Sequence, residues 1–221
     1  MIANSKLFRI FVPEINFKLM NNEIQCIISG KIAVKYGTTI HSVSNNLGRS
    51  AATGSLVKTD KHFKIEETKK LKQIVGAQDL WVKDIKLDNY ISEGAEQKVY
   101  LKDDKSVIKL NNAIYYLSWI DYFNSLLLNN YFFPDTAYNL LGFFENGNIL
   151  YSVVEQLFIK ATETTDLNNV QQFMQSNGFN LIQNNDYINP KLGIIIEDLH
   201  DENVLTNNGI LYFIDTVFYI Q

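Results

Sequence analysis

At 221 residues, 46% hydrophobic and 20% charged, the chain is long enough for one sizeable domain, or a domain with an appendage, and too apolar to be disordered. A formal net charge of -4 argues against general nucleic-acid or anionic-membrane binding, and no apolar run approaches the roughly 20 residues of a membrane span. A single cysteine, Cys26, and three histidines exclude an internal disulfide and leave no Cys/His cluster at zinc-ligand spacing, so Cys26 reads as a buried small hydrophobe.

The opening run MIANSKLFRIFVPEINF has no long apolar core followed by a small-residue cleavage site, so no secretory signal is read and the cytoplasm is expected. Residues 1–88 form an N-terminal extension of weak periodicity, within which the small and polar stretch Ser42 to Gly54 is expected to be a loop. Glu66 to Val75 carries Leu71, Ile74 and Val75 between lysines, the pattern of an amphipathic helix, with Gly76 as its stop.

From Leu87 the spacing of Tyr90, Val99, Leu101 and Val107 about two turns predicts an antiparallel meander of about three strands. Ala113 to Leu128 is apolar on nearly every side and predicts a buried helix, ended by Asn129, Asn130 and Pro134. Two apolar runs around Glu145-Asn146-Gly147-Asn148 predict a hairpin over 138–156. Asp166 to Gly178 has an N-cap residue, then Leu167, Val170, Phe173 and Met174 at helical spacing. The last segment alternates apolar strands with polar turns and reaches Asp215. The order of elements is that of an α+β fold. The aromatics of 113–158, without interleaved Arg or Lys, read as core and not as a base-stacking platform.

Phosphoryl transfer needs a carboxylate to take the proton of the attacking hydroxyl, oxygen ligands for Mg²⁺, a lysine on the phosphates and a glycine-containing cover. Asp198-Leu199-His200-Asp201-Glu202-Asn203 has the D-L-x-x-x-N spacing that projects an Asp and an Asn from one tight loop. Asp215 stands twelve residues beyond Asn203, across a span with the Asn207-Asn208-Gly209 turn that folds back as a hairpin, and supplies a second metal-ligating oxygen. Upstream, Ser92 to Tyr100 resembles a shortened glycine-rich loop retaining Gly94, and Val107-Ile108-Lys109 resembles a strand bearing the phosphate lysine. Glu155-Gln156-Leu157 then lies where a hinge would offer its backbone to adenine, so Glu155 and Leu157 join Gly94 and Lys109 as candidate nucleotide contacts. His200 reads as a hydrogen-bonding loop residue, and Asp201 and Glu202 as solvated charges.

From about Asp88 to Gln221 the chain resembles the kinase domain found in polyvalent proteins of phages and conjugative elements, a small branch of the protein-kinase-like superfamily. Its D-L-H-x-x-N-V-L core is also similar to that of aminoglycoside phosphotransferases. The resemblance implies a small bilobal fold, with an upper lobe at 89–157 and a reduced lower lobe at 158–221. It also implies ATP and Mg²⁺ as cofactors, Asp198 as general base, Asn203 and Asp215 on the metal, Lys109 on the phosphates, and a protein or small-molecule hydroxyl as acceptor.

Several positions depart from the family pattern. Ile196 and Glu197 replace the His and Arg before the catalytic Asp, and Thr216-Val217 replace Phe-Gly after Asp215. The helix at 113–128 has Asp121 as its only acid, which leaves Lys109 without an assigned partner, with Glu66 and Glu67 as outside candidates. With six residues after Asp215, a truncated C-terminal lobe is expected. A non-catalytic nucleotide- or protein-binding module is the alternative reading, and nucleotidyl transfer a third.

Overall fold

A computed structural model describes residues 17–51, 60–85, 88–94 and 97–221. The architecture is α+β: three N-terminal helices, a five-stranded antiparallel sheet interrupted by one helix, then a helix and two small antiparallel sheets.

The N-terminal helices are α1 (Phe17–Ile28), α2 (Gly37–Ala51) and α3 (Asp60–Ala77). The loop expected over 42–54 is instead helix as far as Ala51, and 52–54 lie outside the described residues. Ile40, Val43 and Leu47 recur at helical spacing and are fully buried, while Asn45 and Asn46 face outward. Ser42 and Asn45 mark its solvated face, while Ser44 is buried, and neither signals the absence of a helix. The helix expected at 66–75 lies inside α3, which runs through Gly76 and stops near Asp79, a residue with φ of 53°. Cys26 is half-buried.

The meander is β1 (Tyr90–Glu93), β2 (Gln97–Leu101) and β3 (Ser106–Asn111), and the hairpin is β4 (Asn139–Asn146) with β5 (Ile149–Leu157). They pair in the order β1-β2-β3-β5-β4. Val99 sits opposite Lys109, which sits opposite Val154, and Gln97 opposite Asn111, which is opposite Ser152. Strand side chains alternate between faces, so Gln97, Val99, Lys109, Asn111, Ser152 and Val154 share one face. Tyr100, Leu110, Tyr151 and Val153 pack together on the other.

Between β3 and β4, α4 spans Trp119–Phe132, not 113–128. The expected start is overturned because Ala113 takes a left-handed conformation (φ 54°) and the helix begins only at the Ser118 cap, whose hydroxyl accepts from the Asp121 N–H. The expected end is overturned because Asn129 and Asn130 stay helical and bury their amides against backbone and side-chain partners.

Buried residues of α1, α2, α3, α4, β4 and the C-terminal strands form one continuous apolar core. Leu80 to Val82, just after α3, exchanges backbone hydrogen bonds with Phe143 on β4. The approach is close enough that a methyl group on Gly142, which has φ of 151°, would collide with the Leu80 carbonyl.

Helix α5 (Leu167–Ser176) is capped by Asp166, whose carboxylate accepts from the Asn168 N–H. It is followed by β6 (Asn180–Leu181), β7 (Tyr187–Asn189), β8 (Ile194–Glu197), β9 (Val204–Asn207), β10 (Ile210–Phe213) and β11 (Val217–Ile220). β9 and β10 form the expected hairpin, with Asn208 and Gly209 at positive φ in its turn. β11 returns to pair with β8, so the loop after β8 and the segment around Asp215 emerge from adjacent strands.

Candidate functional site

Lys109 stands in mid-strand on β3 with 3% of its surface exposed. Its ammonium donates to the Ile214 carbonyl at 2.7 Å and lies 3.9 Å from Asp215 Oδ2. Burial pushes the Lys109 ammonium below the ordinary lysine range, opposed by the Asp215 carboxylate. Asp215 is therefore the acid that Lys109 meets. The outside candidates are engaged elsewhere: Glu66 with Lys69, and Glu67 with the first N–H groups of α4. Asp121 is held by Ser118.

Asp198 follows β8 in the left-handed region (φ 65°), a conformation that Asp and Asn reach more easily than most residues. Its N–H donates to Asp186 Oδ1 (3.1 Å), and its carbonyl accepts from Asn203 Nδ2 (2.9 Å). His200 closes the loop: its carbonyl accepts from the N–H groups of Asn203 and Val204, and its Nδ1 accepts from the Glu202 N–H. Asn203 in turn accepts at its carbonyl from the Ile214 N–H at 2.9 Å, which ties the Asp198 loop to the residue before Asp215. Beside Asp198, the Glu197 carboxyl is pushed up by burial and by the charges of Asp186 and Asp198. The structure thus brings Asp198, Asn203, Asp215 and Lys109 into one connected region.

The segment that carries Asp215 is held at nearly every residue. The Thr136 hydroxyl donates to the Phe213 carbonyl (2.5 Å) and the Tyr138 hydroxyl to that of Ile214 (3.0 Å). The Thr216 hydroxyl donates to Asn129 Oδ1 (2.9 Å), and the Phe218 N–H to Ser125 Oγ (3.0 Å). Burial pushes the Tyr138 hydroxyl well up, which keeps it a neutral donor. Asn129 was read from sequence as a helix end and Thr216 as a departure from the family pattern, and none of these residues was read as holding the Asp215 segment. A signal was present in Ser125 and Asn129, polar residues four apart and so on one face of an otherwise apolar helix.

Gln97 was also missed. At the start of β2 and 8% exposed, it donates from Nε2 to Asp215 Oδ2 at 2.7 Å.

The remaining candidates lie around this region differently. Gly94 N–H donates to the Gln97 carbonyl at 2.8 Å and closes the β1–β2 turn, of which Ala95 and Glu96 lie outside the described residues. A side chain at 94 would meet no described residue within 4 Å. Glu155 sits opposite Ile108, on the face away from Lys109, where its carboxylate bonds to Lys102 Nζ (2.5 Å) and Asn139 (3.3 Å). The Lys102 hydrogen bond holds the Glu155 carboxyl below its ordinary range. Leu157, on the same face, is exposed. Both side chains turn away from the Lys109 face, whereas Gln156 between them lies on it, buried, and donates from Nε2 to the Thr136 carbonyl at 2.7 Å.

Among the described residues no three His, Cys, Asp or Glu side chains gather as a metal site. The donors at hand are Asp215 Oδ1 and Asn203 Oδ1, whose residues engage their neighbours through other atoms. Two hard oxygens fit Mg²⁺, which is characteristically held by one or two protein oxygens together with substrate phosphates and water. No helix among the described residues is long and apolar enough to cross a membrane.

Compared with known proteins, residues 64–221 match the model of a family described as Serine/Threonine/Tyrosine Kinase found in polyvalent proteins. No curated protein and no solved structure matches.

Proposed function

The chain belongs to the serine/threonine/tyrosine kinase family of polyvalent proteins, and on that premise we propose that it is an ATP-dependent phosphotransferase acting on a hydroxyl of a protein or small molecule. The observation that supports this most is the meeting of Lys109 with Asp215, far apart along the chain, with the Asp198–Asn203 loop bonded to Ile214, whose carbonyl takes the Lys109 ammonium. In this reading residues 89–157 and 158–221 are the two lobes of a bilobal cleft, and the described helices α1 to α3 of the 1–88 extension pack on the first.

Asp198 accepts the proton of the attacking hydroxyl. Lys109, already short of solvation, places a single positive charge against the triphosphate, and the incoming negative charge favours its protonated form. Asn203 and Asp215 would hold a Mg²⁺ ion, which when bound offsets the charge of the transferring phosphoryl group. The Gly94 turn covers the phosphates, and the backbone at 155–157 borders the base. Chemistry of this kind depends on positioning and fixed charge, which the many bonds to the 213–218 segment serve.

The test is ATP hydrolysis and phosphate transfer by the wild type against Asp198→Asn, which keeps a side chain tolerant of the left-handed backbone. Turnover is expected to fall by roughly 10²- to 10⁴-fold with nucleotide binding retained. Equal rates would remove Asp198 from the mechanism.

A further inference from the structure

Gln97 stands two residues before Val99, where the pattern G-x-G-x-x-G-x-V places its last glycine. A glycine there leaves the cleft wall bare, whereas this chain puts a buried primary amide in the same place. The orientation of that amide follows from its partner: an ionised carboxylate only accepts, so the nitrogen must face Asp215. Gln97 Nε2 lies 2.7 Å from Oδ2, and Lys109 Nζ lies 3.9 Å from the same oxygen. Gln97 therefore donates to Oδ2 while the Lys109 charge, hydrogen-bonded to the Ile214 carbonyl, faces the same oxygen as an ion pair, and Oδ1 carries no bond from either.

Gln97 is itself held. Its strand neighbour is Asn111, which is buried and bonded to the Ala113 N–H, and its carbonyl takes the Gly94 N–H. The bond to Asp215 therefore runs from a paired strand of the five-stranded sheet to the segment between β10 and β11.

We propose that Gln97 is a positioning residue for the divalent cation: it and Lys109 pin Oδ2 of Asp215, which leaves Oδ1 turned toward the metal beside Asn203. This rests on Asp215 being a metal ligand, as read above. Partners of this kind, which orient a ligand without touching the ion, typically alter metal affinity by 10- to 100-fold when removed.

The experiment measures binding of a non-hydrolysable ATP analogue by calorimetry across a Mg²⁺ series, for wild type, Gln97→Leu and Gln97→Asn. Leu keeps the bulk and loses the donor; Asn keeps the donor and falls one methylene short. The Mg²⁺ concentration giving half the affinity gain is expected to rise roughly tenfold in both variants, while the metal-free affinity for the analogue stays at the wild-type value. If the wild type binds the analogue with no dependence on Mg²⁺, the phosphotransferase reading fails and this inference with it. If the wild type depends on Mg²⁺ and both variants match its midpoint, Gln97 has no such role and the reading stands without it. Metal-free affinity falling in step with the midpoint marks a collapsed cleft and also overturns the proposal. Gln97→Asn, the milder change, carries the decision should Gln97→Leu fail to fold.

Discussion

Gly94 is the residue at which stability and nucleotide contact separate most cleanly. No described residue lies within 4 Å of a side chain placed there, and its φ is not among the positive ones. Gly94→Ala should therefore leave stability within about 0.5 kcal/mol of wild type, as for surface changes away from special features. If the turn closes over phosphates, the added methyl keeps the backbone from approaching them, and affinity for Mg²⁺ with an ATP analogue should fall about tenfold, or 1.4 kcal/mol. Calorimetry and a melting curve on the same variant check both halves; unchanged affinity would make Gly94 an ordinary hairpin glycine. Gln97, three positions on, shows the limit of reading residues one at a time. A glutamine after a glycine-containing turn carries no marker of its destination, because its partner Asp215 lies 118 residues away.

At the scale of elements, α4 depends on a carboxylate that belongs to α3. Glu67, 4% exposed, accepts from the Trp119 N–H at 2.6 Å and the Ile120 N–H at 3.4 Å, so it supplements Ser118 at a helix start whose N–H groups otherwise lack partners. Burial pushes the Glu67 carboxyl up, opposed by those two N–H groups and reinforced by Asp121. The folded protein then keeps a proton at pH values where the unfolded chain has released it. Wild-type stability should accordingly fall as pH rises from the ordinary glutamate value through the raised one. Glu67→Gln, with one acceptor oxygen and no proton to release, should flatten that slope. Glu67→Leu loses the acceptors and should cost about 1–2 kcal/mol, or about 2–8 °C in melting temperature. Thermal melts of the three proteins between pH 4 and 8 decide it; identical pH slopes in wild type and Glu67→Gln would show that Glu67 does not titrate in the fold.

For the whole molecule, the question is whether α1 to α3 are separable. Ile24, Ile27, Ile40, Val43, Leu47, Leu71 and Val75 are each at most 2% exposed and share a core with α4 and β4. Each such side chain contributes about 1.5–3 kcal/mol on burial, against about 5–15 kcal/mol for a whole domain. A chain beginning at residue 89 also lacks the Glu67 cap and the Leu80–Val82 pairing to β4. It should show no cooperative melting transition. A truncated protein that melts sharply at the full-length temperature would establish residues 89–221 as independent.

The sequence alone determined the elements whose signal is local: the three-strand meander, the Asn-Gly hairpin, the capped α5, and the spacing of Asp198, Asn203 and Asp215. Turn residues and two-residue alternation act over a few positions, so they can be read without knowing the neighbours. What only the tertiary structure decided is long-range. It folded Ser42 to Ala51 as helix because one face had α4 to pack on, and it delayed the start of α4 to Ser118. It gave Lys109 the partner Asp215, and it set Gln97 against that same carboxylate. These outcomes depend on which surfaces meet, and burial and hydrogen-bond satisfaction there outweigh local propensity.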